Sequence, residues 1–199
     1  MEGVCGRGVD GSRHWMPQCD RSRLMTKKKV KAVKLTVGLP FNLGSLELEP
    51  DEVERQVAWE LYVELVTRVA VEPLGPTEGL MRESLDSLYE FFVITRSILK
   101  EAGPSVARSP ESVGAIAIAV LNQGMRPILA KWHPLLCDYE EQRAEGCSAV
   151  QHEQNWERVT DLRRELDELR IEMIVYLDVL AKIAGVEIGR KEWAMTSSM

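Results

Sequence analysis

The chain has 199 residues, 45% of them hydrophobic and 28% charged, with a formal net charge of −6. That length encloses one substantial core, and that balance excludes both a disordered chain and a membrane-embedded one. The charge is uneven, because nine Lys or Arg stand against Glu2, Asp10 and Asp20 in residues 1–34. A front of about six positive charges therefore precedes a body of about twelve negative ones, which would repel a nucleic-acid backbone.

Residues 1–30 are basic, polar and Gly-rich, the composition of a disordered tail. Contact with nucleic acid, an anionic lipid surface or an acidic partner is expected only from the arm 1–34. Gly6-Arg-Gly-Val-Asp-Gly11 matches the dinucleotide fingerprint letter by letter. No strand precedes it and no apolar helix follows, so no cofactor is expected. Met25, followed by Thr26 and three lysines, reads as a start, which would make residues 1–24 an upstream extension. No secretory apolar segment precedes Cys5, Cys19, Cys137 and Cys147, so reduced thiols in a cytoplasmic protein are expected.

In residues 31–49, Val33, Leu35 and Val37 alternate with polar residues, as do Leu46 and Leu48, and Gly38 to Gly44 supplies turn residues. Period two predicts a small β-hairpin that must pack on something larger. A first helix is expected from Pro50 to about Val71, with Val53, Val57, Leu61 and Leu65 as its stripe. Thr77 is the expected cap of a second, with Met81, Leu85, Leu88, Phe92 and Leu99 facing inward before Gly103-Pro104.

Ser109-Pro110-Glu111 reads as the start of a third helix. Its apolar run from Val113 to Leu121 is about half of the roughly 20 residues a membrane span requires, so no span is expected. Pro127 removes a backbone donor and predicts a kink or break near Gly124 to Arg126, His133-Pro134 is expected to divide the helix again, and Asp138 to Gly146 reads as a loop. Ser148 with Gln151 is a capping box that should open one long helix to Gly185. Along it Val159, Leu162, Leu166, Leu169, Met173, Tyr176, Leu180 and Ile183 recur at steps of three and four, so one face must be buried. The predicted architecture is all-α, an antiparallel four-helix bundle over residues 50–186 with its third helix broken near Pro127, followed by a tail, 187–199.

Taking Val159 as position a puts Arg163 and Arg170 at e and Glu165 and Glu172 at g, a flank able to pair with a second parallel copy. Burial within one chain is the favoured alternative, because short dimeric zippers are rarer than bundle helices.

The sequence contains no Walker lysine loop, nucleophile elbow or His-Glu-x-x-His motif, and no histidine follows a glutamate by three residues as di-iron bundles require. Cys5, His14 and Cys19 lack close-pair zinc spacing, and His133 with Cys137 is half a site unless Cys147 or His152 joins them, so neither metal nor catalytic residue is expected. The most concentrated unusual group is Asn122, Arg126, Lys131, Trp132 and His133, where a broken helix would expose backbone groups beside cationic side chains able to hold an anion. The leading expectation is a non-catalytic helical interaction module, regulatory or adaptor-like, acting on a protein partner or on itself. The alternative is a small-ligand sensor or enzyme with an anion near Arg126 and His133.

Overall fold

The computed structural model describes residues 34–73, 75 and 78–186. The tail 1–30, the Gly6 to Gly11 fingerprint, Met25, Thr77 and the tail 187–199 lie outside them. The described chain is mostly helical, with one two-stranded antiparallel sheet.

Strand β1 (Leu35–Gly38) pairs with β2 (Ser45–Leu48) in the register Leu35 opposite Leu48 and Gly38 opposite Ser45. Its turn places Phe41 and Asn42 at φ of +56°, the left-handed region that suits hairpin twist but costs a residue with a Cβ about 1–2 kcal/mol. Two contacts hold Phe41 there. Its N–H donates to Glu172 Oε2 at 2.6 Å, and its ring occupies the space that a Cβ at Gly124 would need. The hairpin thus packs on the helices, with Val37 and Leu48 buried.

Helix α1 (Glu52–Val66) is opened by Asp51 and Glu54 in a reciprocal capping box. It ends earlier than the periodicity predicts: Thr67 Oγ1 turns back to the Val63 carbonyl at 2.9 Å, and a 3₁₀ turn, Val69–Val71, follows. Val57, Ala58, Leu61, Tyr62 and Leu65 are buried, whereas Val53 lies on the exposed side. Helix α2 (Met81–Ala102) buries Met81, Leu85, Leu88 and Phe91 and stops at Gly103, whose φ is +76°. Phe91 takes the fully buried place expected of Phe92, which is only half-buried.

The third helix does not start at Ser109. Pro104–Ala107 forms a 3₁₀ turn, and α3 (Val113–Ala119) begins after Ser112, with its first N–H donating to Glu54 of α1 at 3.3 Å. Gly114 lets this helix approach the turn, for a Cβ there would sit 2.5 Å from the Val106 carbonyl oxygen. Neither proline interrupts the helical run, although the regular α pattern is lost beside the first. Residues Val120–Met125 widen into a π-helical turn, and α4 (Arg126–Glu140) follows without interruption, carrying Pro134 inside it. Widening solves the proline problem locally: Arg126 N–H reaches back to the Leu121 carbonyl, and Pro127 enters at a first-turn position where its missing donor is tolerated. The resulting 28-residue helical run from Val113 to Glu140 is long and apolar enough to cross a membrane, yet 50% of its most apolar window is buried inside the protein.

The last helix is divided. Ser148 caps α5 (Ala149–Gln154) by accepting from Gln151 N–H, and after Trp156 the chain re-enters α6 (Val159–Ala184), closed by Gly185 at φ +73°. Leu162, Leu169, Met173, Tyr176, Leu180 and Ile183 are buried within the chain, in one core with the inner faces of α1, α2, α3 and α4.

Candidate functional site

The five residues around Pro127 separate into three local groups. Arg126 donates from Nε and Nη2 to Asn122 Oδ1 at 3.1 and 2.9 Å, one turn away, and its guanidinium lies 5.4 Å from the ring centre of Phe92 on α2. Lys131 and Trp132 turn to α6 instead, where both grip Glu165, through Nζ at 2.6 Å and Nε1 at 2.7 Å. His133 returns to the α2 side, its Nε2 lying 3.2 Å from Asp86 Oδ1. A helix rises about 1.5 Å per residue, so Arg126 and His133 stand roughly 10 Å apart along α4. In this arrangement the two side chains make separate contacts.

Each group solves a packing problem. Trp132 is fully buried and meets the ring of Trp156 edge-on at 5.9 Å; Trp156 stacks on Tyr139, which stacks on His152 at 4.1 Å. Tyr139 Oη donates to the His152 carbonyl and His152 Nε2 donates to the Tyr139 carbonyl, each at 2.8 Å, so α4 and α5 are clamped reciprocally. Burial by itself pushes the Glu165 carboxyl up, but the hydrogen bonds and charge of Lys131, with Trp132 and Arg164, outweigh it and hold the group below the ordinary glutamate range. Arg82 of α2 lies beside His133 and grips Glu140 through Nε and Nη2, the latter at 2.6 Å; that hydrogen bond raises its already high pKa against the opposing effect of burial.

The flank residues of α6 are likewise engaged within the chain. Arg163 donates to the carbonyls of Gly75 and Glu78 at 3.0 and 3.4 Å, Arg170 pairs with Asp167 at 2.8 Å, and Glu172 receives Phe41 N–H. Glu165 contacts α4 within the chain. Among the described residues, no group of three or more His, Cys, Asp and Glu is arranged to hold a metal ion.

Two surface features remain. On α2, Tyr89 and Val93 stand one turn apart and are 56% and 46% exposed, and the Tyr89 ring lies 6.1 Å from His133 of α4. Between α2, α6 and the 3₁₀ turn Val69–Val71 is a cleft of about 280 Å³. Periodicity identified Met81, Leu88, Arg163 and Arg170 but not their convergence, because the turn that ends α1 is what brings the third wall into place. No family model, curated protein or solved structure matches the chain.

Proposed function

We propose that this chain is a non-catalytic helical interaction module, regulatory or adaptor-like, that binds a protein partner through the α2–α4 seam. The reading is carried by exposed Tyr89, whose ring lies 6.1 Å from His133 of α4, and by Arg126 of α4, whose guanidinium lies over Phe92 of the same α2 helix. Arg126 is held by the neutral amide of Asn122 and the ring of Phe92, and no carboxylate among the described residues pairs with it. Tyrosine and arginine are the residue types that dominate interface energetics, so the fitting partner surface is an apolar side chain flanked by a carboxylate.

The reading includes an arrangement in which α1, α2, the α3–α4 run and α6 form an antiparallel four-helix bundle. It is supported by the pairing of Arg55 with the Ile183 carbonyl, of Arg82 with Glu140, and of Lys131 with Glu165, each joining one helix near its start or middle to the far part of a neighbour. It also takes the protein as cytoplasmic and the run from Val113 to Glu140 as a core helix, which its partial burial favours.

The test is native mass spectrometry of the protein purified gently from its own cells, beside a Tyr89→Asp/Arg126→Glu variant whose melting temperature matches wild type. The expected result is a stoichiometric second protein on wild type that is lost from the variant. Equal retention by both, or a monomer carrying only a small molecule, would overturn the assignment.

A further inference from the structure

We infer that the cleft between α2, α6 and the 3₁₀ turn is a binding site for a small monocarboxylate with an apolar body. The inference is independent of the α2–α4 seam and rests on different residues.

The apolar part of the wall comes from Met81 and Leu88 of α2, Leu166 of α6 and Val69 of the turn. Helical spacing explains the convergence: residues 81, 84 and 88 share one face of α2, and 163, 166, 167 and 170 share one face of α6. Within this lining Ser84 is only 3% exposed, and its Oγ has no hydrogen-bond partner. A buried hydroxyl is costly to leave unpaired, so an unpaired one on a cleft wall points to a polar group supplied from outside.

The charged part of the wall limits how much charge that group can carry. Arg163, Arg164 and Arg170 line the cleft with Glu72 and Asp167. Arg164 is paired with Asp161 and Glu168 and Arg170 with Asp167, so the wall holds no surplus of positive charge, and its carboxylates Glu72 and Asp167 oppose a phosphate dianion more than a monoanion. Arg170 is the best placed to receive it. Its side chain is 17% exposed, Asp167 engages its Nε and Nη2, and no hydrogen bond among the described residues uses Nη1. An arginine retaining a free donor in the same cleft as a buried hydroxyl can engage a carboxylate through more than one hydrogen bond. The cleft volume of about 280 Å³ lies at the small end of ligand pockets, so the apolar body has only several carbons.

Sodium octanoate is the probe, titrated into the full chain while amide NMR shifts are mapped and affinity is measured by calorimetry, with hexyl phosphate as a parallel arm. The expected result is saturable movement of the Val69, Val71, Ser84 and Leu88 amides and weaker binding of hexyl phosphate. Arg170→Gln should reduce octanoate affinity by about tenfold or more. Ser84→Ala should reduce it several-fold while raising the melting temperature of the unliganded protein, since it deletes an unpaired hydroxyl. The wild-type shift map decides the matter even where a variant fails to fold. Absence of saturation, shifts confined to other surfaces, undiminished affinity in both folded variants, or preferential binding of hexyl phosphate would overturn the proposal.

Discussion

Glu165 illustrates how a surface-looking charge becomes an internal one. On α6 it stands at the flank of an apolar stripe, where a heptad reading assigns it to a partner helix. The chain instead brings Lys131 and the buried Trp132 to its two carboxylate oxygens. Because its folded pKa is depressed, its contribution to stability is complete above the unfolded value of about 4.3 and is lost as pH falls through the lower folded value. Glu165→Gln is therefore expected to cost about 1–3 kcal/mol at pH 7, with the gap to wild type closing as the medium is acidified. Urea unfolding at a series of pH values measures it; a gap that stays constant to pH 3 would mean that shape rather than charge is responsible.

Among the elements, local chemistry was legible and borrowed chemistry was not. The α1 cap at Asp51, the α5 cap at Ser148 and the stops at Gly103 and Gly185 rest on a few adjacent residues, and sequence reading found their neighbourhoods. The start of α2 rests on a residue 72 positions away: Glu153 of α5, itself buried, accepts Met81 N–H at 2.8 Å and Arg82 N–H at 3.4 Å. No window around Thr77 contains that information. A carboxylate at a helix N-terminus satisfies free donors and suits the dipole, so Glu153→Ala should cost about 1–3 kcal/mol. Hydrogen exchange should accelerate first at the amides of Met81 and Arg82. Uniform acceleration along α2, with no excess at its first turn, would contradict the capping role. Pro127 shows the same limit in reverse: its lost donor is local and marks the place of an irregularity, whereas the π-helical turn that absorbs it depends on the Val120–Met125 backbone as a unit.

For the whole molecule, the α6 stripe is the feature most legible in the sequence, since its burial follows from period alone. The partner that buries it does not, because one apolar face serves a second copy as well as the chain's own helices. The candidate anion site was legible in composition only. Asn122, Arg126, Lys131, Trp132 and His133 are neighbours along the helix, but the turn of α4 sends Arg126 and His133 toward α2 and Trp132 and Lys131 toward α6. Met173 and Leu162 are wholly inaccessible, and Leu166 is packed against the same core. Sedimentation velocity of Leu166→Asp/Met173→Asp beside wild type is the direct test that this face is internal and that partners must bind elsewhere. A carboxylate at the wholly inaccessible Met173, with a second at the partly buried Leu166, cannot be accommodated in that core, so the predicted result is an expanded, unfolded chain. A compact folded variant that differs from wild type only in its oligomeric state would contradict the account and return the stripe to an interface between copies.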